Sequence, residues 1–256
     1  MKMSDEENTE SVELAPGLAA ALAPVEPSTD DRRRRGPDPL AGLRSWNPRT
    51  RLGRMVMNGE ILTYEQAVDT GLPIREVEIV DALLPDLTDD VLGVNMIQRM
   101  TDSGRRVRFN VLCVVGNSDG YVGLAVCKGK EVSGTIRKAI DKAKLNLIPV
   151  MRGNGSWESS EGPGNSVPFK VTGRSGSTRI TLMPAPAGKG LVIGDYGRRV
   201  LNLAGITDVW ARSAGQTRTT INFARATFNA LVELNKTKIN DSDRQRLNIT
   251  KGRKMQ

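Results

Sequence analysis

An α+β architecture of two domains, with extensions at both ends, is what the 256-residue sequence predicts. Three observations carry that reading. A β-branched run, a Gly-rich turn and a second β-branched run are followed by an amphipathic helical stretch. After a Gly/Pro-rich gap the pattern becomes strand, strand, helix, strand, helix. Apolar residues make up only 38% against 26% charged, so a modest core with exposed arms is expected.

Residues 1–39 read as a disordered arm, acidic and punctuated by proline, that turns basic at Arg32-Arg33-Arg34-Arg35. Arg44, Arg49, Arg51 and Arg54 prolong the basic stretch, which is expected to order only on its partner. Within an N-terminal extension over 40–95, the spacing predicts a short helix across 59–71. Thr63 and Gln66 form its capping box, and Gly71 and Pro73 end it. Asp86, Asp89 and Asp90 read as decoration of a turn.

The first domain is expected over 96–152. Arg106–Val115 and Tyr121–Cys127 read as hairpin partners around Gly116-Asn117-Ser118-Asp119-Gly120. A helix over about 131–146 follows. Val132, Ile136, Ala139, Ile140, Ala143 and Leu147 form its buried stripe, with Arg137, Lys138, Asp141, Lys142 and Lys144 on the other faces. Residues 153–166 read as a linker or wide loop. The second domain, 167–235, takes strands at Val167–Thr172, Thr178–Met183 and about Thr207–Arg212, and helices at Asp195–Leu203 and Gln216–Leu234. Residues 236–256, with seven basic and two acidic side chains, read as a flexible tail.

Composition excludes several chemistries. There is no histidine, which removes Ser-His-Asp and Cys-His nucleophile systems and His-ligated zinc. Cys113 and Cys127 form no CxxC and read as buried thiols. No apolar run approaches the ~20 residues that cross a bilayer, so no membrane partner is expected. No carboxylates stand at a catalytic spacing, and no cofactor is implied. Residues 1–31 hold one lysine against eight carboxylates, a net −7, leaving +15 on the rest of a chain whose total is +8. A body that basic favours a polyanionic partner.

Gly-rich turns beside cations recur at Ser103-Gly104-Arg105-Arg106, Gly173-Arg174-Ser175-Gly176 and Ala187-Gly188-Lys189-Gly190. Each pairs closely approachable backbone amides with positive charge, which suits phosphate. The third is no Walker loop, since Met183 stands where its first glycine belongs and Gly190 where its hydroxyl belongs. It also echoes the phosphate loop of small-molecule kinases, but Leu191-Val192 replaces that loop's paired serines. Hairpin followed by helix is half of a double-stranded-RNA-binding pattern. With ten aromatics in the chain, stacking platforms are not expected, and contacts should favour phosphate, 2′-OH and shape.

From Met96 onward the chain closely resembles the small-subunit ribosomal protein five family. The matching runs include Ser103–Phe109, Val114–Leu124, Lys130–Val132, Thr135–Ile140, Val171–Gly176, Pro184–Gly190 and Asn222–Phe228. Upstream, Trp46–Arg54 and Leu72-Pro73-Ile74 resemble the archaeal and eukaryotic branch. The resemblance implies a truncated double-stranded-RNA-binding-like domain followed by a split β-α-β domain. It implies a non-enzymatic structural constituent of the cytoplasmic small ribosomal subunit, between body and head. The implied partners are ribosomal RNA, ribosomal protein four and other neighbouring proteins, and mRNA near the channel by which it enters. The implied roles are subunit assembly and translational accuracy; a free double-stranded-RNA-binding regulator is the alternative. The residues expected at RNA are Arg51, Arg54, Gly104, Arg105, Arg106, Arg108, Lys128, Lys130, Arg137 and Lys138. Arg174, Lys189, Arg198 and Arg199 are expected to join them from the second domain.

Overall fold

The computed structural model describes residues 46–158 and 164–253. The expected arm over 1–39, with its Arg32–Arg35 run, lies outside those residues.

Basic residues around 46–54 lead into a capped helix. Helix α1 (Arg51–Met57) is capped by Thr50, whose hydroxyl accepts from Gly53 N at 3.1 Å. Glu76 gathers the approach to it. Its carboxylate accepts from Trp46 Nε1 at 3.0 Å, Arg49 N at 2.9 Å and Thr50 N at 2.6 Å. Helix α2 (Tyr64–Asp69) carries the expected Thr63–Gln66 capping box, and α3 (Val77–Leu83) follows. Leu52, Ile61, Ala67 and Ile79 bury one another beneath these helices. Tyr64, Val80 and Leu84 then dock the extension onto Tyr121 and Leu147 of the first sheet.

That sheet has the order β1 (Thr88–Thr101), β2 (Gly104–Gly116), β3 (Tyr121–Gly129), β4 (Leu147–Pro149), antiparallel throughout. The domain therefore starts well before Met96. β1 spans 14 residues with a register shift between Val91 and Gly93. Asp89 and Asp90 lie inside it rather than on a turn. Helix α4 (Val132–Leu145) covers one face. Its Ala139 and Ala143 meet Val111, Cys113, Val115, Ala125 and Cys127. Both cysteines are free and buried, as expected.

Residues 153–166 do not act as a spacer. Gly153 and Ser166 pair across an antiparallel bridge, so the two ends of the segment meet. Short β5 (Met151–Arg152) precedes it.

The second sheet has the order β6 (Val171–Ser175), β7 (Thr178–Pro184), β9 (Val209–Ala214), β8 (Leu191–Val192). β8 runs parallel to β9 through α5 (Asp195–Leu203), while β7 pairs antiparallel with β9 on its other side. The two parallel strands of this β-α-β unit are direct neighbours at one edge of the sheet. Helix α6 (Thr220–Lys236) packs on β6 and β7. Gly173 is what permits that approach, because a Cβ there would overlap the backbone of Ala226 and Ala230. The glycine is thus a helix-packing position within β6, and Gly176, at φ +60°, makes the turn.

One core joins the two domains. Leu112, Val114, Val122 and Leu124 of the first sheet lie in the same buried cluster as Ile180, Leu182, Val200, Leu201, Phe223 and Leu231. The layers therefore run α4, first sheet, α5 with α6, second sheet.

Beyond α6 the chain folds back instead of trailing away. Helix α7 (Asp241–Arg246) leads to β10 (Thr250–Lys251), which pairs antiparallel with β5. The Arg152 side chain is 3% exposed. Its Nη2 donates to Asp119 Oδ1 at 2.8 Å and to Gly252 O at 2.9 Å, clamping the tail to the 116–120 turn. Residues 254–256 lie outside the described part.

Candidate nucleic-acid interface

A β-strand sends alternate side chains to opposite faces, and residues directly paired across strands share a face. In the β1–β2 register Arg99 pairs with Arg106, and Ile97 with Arg108; Asn110 pairs with Lys128 of β3. Arg99, Arg106, Arg108 and Lys128 therefore stand on one face, all exposed. They line a concavity of about 460 Å³ together with Ile97, Met100, Thr101 and Asp102. Further along the same face Leu112 and Val114 enter the shared core. The inner half of β2 is thus rooted in the molecule while its outer half carries charge into solvent.

The hairpin tip is built for close approach. Gly104 takes φ +107°, a conformation side chains disfavour, and Thr101 Oγ1 donates to Gly104 O at 2.8 Å. Arg105 leaves on the opposite face, across from Met100, on the side that Val111 and Cys113 present to α4. Arg137 and Lys138 are exposed on α4 itself. Lys130 lies exposed between β3 and α4. Lys128 does not flank that helix; it belongs to β3 and joins the Arg106–Arg108 group.

Sequence reasoning missed Arg99. Nothing in Gln98-Arg99-Met100 marks it, and only the register opposite Arg106 brings it into the cluster. The remaining expected residues lie elsewhere. Arg51 and Arg54 are exposed on α1. Arg174 is exposed on β6, its Nε donating to Gly176 O at 3.0 Å. Lys189 is exposed in a loop whose Gly190 N is already held by Asp208 Oδ1 at 2.8 Å, so that amide is not free for phosphate. Arg198 pairs with Asp195 at 3.6 Å and Arg199 with Asp90 at 3.5 Å, both at the surface.

Among the described residues no cluster of His, Cys, Asp and Glu could hold a metal ion, and no helix is long and apolar enough to cross a membrane. What the hairpin face can do chemically is neutralise several closely spaced negative charges, with guanidinium forks able to make paired hydrogen bonds to phosphate oxygens.

The family profile described as ribosomal protein S5, N-terminal domain, matches residues 87–151, and the one described as ribosomal protein S5, C-terminal domain, matches 173–246. A protein named small ribosomal subunit protein uS5 from Methanothermobacter thermautotrophicus is 53% identical over 207 residues, 81% of this chain and 96% of its own. Proteins of the same name from Methanospirillum hungatei and Halobacterium salinarum are 58% and 55% identical, over 74% and 76% of this chain and 93% and 92% of theirs. The first profile begins at residue 87, beside the first residue of β1.

Proposed function

The chain belongs to the ribosomal protein S5 family, and from that premise we propose that it is a structural constituent of the small ribosomal subunit that grips ribosomal RNA through its β1–β2 arm. It is not an enzyme. The observation that carries the reading is the cluster of Arg99, Arg106, Arg108 and Lys128 on one face of a hairpin whose tip is turned by Gly104. Such a cluster binds a folded polyanion through sugar and phosphate rather than through base sequence. Neighbouring proteins, among them ribosomal protein four, and mRNA near the channel by which it enters are the further partners of this reading. Support for assembly and for translational accuracy follows from that location.

Replacing Arg106 and Arg108 by Glu together tests it. The doubly substituted chain is expected to be depleted from the small-subunit peak of a sucrose gradient, and normal incorporation at physiological salt would contradict the proposal. With purified RNA, Arg106→Gln plus Arg108→Gln should lower the log–log salt slope by about 1.4–1.8, at 0.7–0.9 for each lost phosphate contact. The hairpin-then-helix order also suits a free double-stranded-RNA regulator. That reading requires a stable pool away from the subunit peak in the same gradient.

A further inference from the structure

The second sheet has two unlike faces. Val171, Gly173, Thr178, Ile180, Leu182 and Val209 are buried beneath the helices. Residues between them point the other way, and the register places them side by side. Arg174 pairs with Arg179, Thr172 with Thr181, Thr181 with Arg212, and Met183 with Trp210; Val192 stands beside Trp210 on the parallel edge. Trp210 is 40% exposed and Val192 54%. The arginines are all exposed.

We propose that this open face is a second RNA-binding surface, one that takes unpaired RNA, with a base on Trp210 and the strand's phosphates on Arg212, Arg179 and Arg174. It rests on the preceding reading only for the identity of the polyanion.

Three features of the face argue for it. The four strands contain no Asp or Glu, so their cations have no counter-charge on the sheet. Arg174 and Arg179 stand directly opposite one another, an arrangement of like charges that costs stability until an anion offsets it. Arg212 lies one pair further along, within reach of long side chains. Three guanidinium groups so close together match the successive phosphates of one strand. A protein partner would have to present three carboxylates in the same pattern.

The second feature is Trp210, two residues from Arg212 on the same strand face and roughly 7 Å away at the rise of an extended strand. A stacking residue beside a line of cations is how single-stranded nucleic acid is held without reading its sequence. The third is the Thr172–Thr181 hydroxyl pair, 3.0 Å apart between the arginines, whose oxygens can serve a ribose 2′-OH. Chain-wide scarcity of aromatics argued against a stacking platform. The topology nevertheless leaves one tryptophan open on a sheet bordered by arginine.

The test uses the full chain with two probes, a single-stranded oligouridylate and a blunt RNA duplex, each titrated by fluorescence anisotropy. Trp210→Ala, and separately Arg179→Gln with Arg212→Gln, should weaken single-strand affinity roughly tenfold and leave duplex affinity within about twofold. Trp210→Phe, which keeps an aromatic ring, should retain most of the single-strand affinity and guards against a folding defect. Arg106→Gln with Arg108→Gln should weaken the duplex instead. Open-face variants that leave single-strand affinity unchanged, or that weaken both probes equally, overturn the proposal. A hairpin variant without effect on duplex would overturn only the hairpin reading. In assembled subunits, a benzophenone side chain introduced at position 210 should crosslink to RNA, and a crosslink to a protein chain would overturn the open-face assignment.

Discussion

Single side chains decide more of this molecule than its low apolar content suggests. Glu76 is the clearest case. Desolvation pushes its carboxyl upward, but hydrogen bonds from Thr50 and Arg49 amides, the Thr50 hydroxyl and the Trp46 indole outweigh that and hold it below its ordinary value. A carboxyl lowered by folding contributes stability above its unfolded pKa and loses that contribution as pH falls through the folded one. Glu76→Gln should therefore destabilise the chain at neutral pH, but by no more than about 1 kcal/mol because solvent screens the carboxylate. The gap from wild type should close as urea denaturation is repeated at falling acid pH. Cys113 behaves oppositely. Burial, reinforced by the charges of Asp89 and Asp90, pushes its thiol up to about 12. Because the thiolate is the reactive form, iodoacetamide at pH 8 should leave Cys113 unmodified in the folded chain and label it after guanidinium unfolding, as read by peptide mass spectrometry. The residues at the candidate interface were partly legible for a simple reason. Arg106 and Gly104 sit in a Gly-rich turn that announces itself, whereas Arg99 is drawn to Arg106 only by strand pairing.

At the scale of elements, periodicity succeeded where an element packs on a core and failed where it does not. The spacing expected for the helix over Asp195–Leu203 matches α5 at both ends, and the Thr63–Gln66 box forms as the sequence implies. β1 was not legible. It opens on acidic residues and is interrupted by the shift at Val91–Gly93, and its outer half carries exposed Val94, Met96 and Met100 with no core face to impose alternation. β10 could not be read either, because its two residues are strand only by virtue of pairing with β5, about a hundred positions earlier. The seat of α6 on β6 makes the sharpest prediction here. Gly173→Ala should push the helix off the sheet and cost about 1–3 kcal/mol or more, measured as a lowered midpoint in chemical denaturation. Gly188→Ala, where nothing stands within 4 Å of the added carbon but φ is +83°, should cost about 1 kcal/mol through backbone strain alone.

Taken as a whole, the described body is two family domains with one interior. Since Leu112, Val114 and Val122 share their cluster with Leu182, Leu201 and Phe223, neither domain can unfold without exposing the other's core. Calorimetry should show a single heat-absorption peak with equal calorimetric and van't Hoff enthalpies, and two resolved peaks would contradict the shared interior. The 116–120 turn adds a further link, with Ser118 N donating to Leu203 O at 2.9 Å and Gly120 N to Ala204 O at 3.1 Å at the C-terminal end of α5. Strand β2 runs from the solvent tip at Gly104 into that turn, a length of roughly 40 Å at the usual rise per residue. Mechanically it is a cantilever with a clamped root. A load on the free end would meet its reaction at that root, where the backbone bonds to Leu203 and Ala204 make the end of α5 the first part of the second domain to feel it.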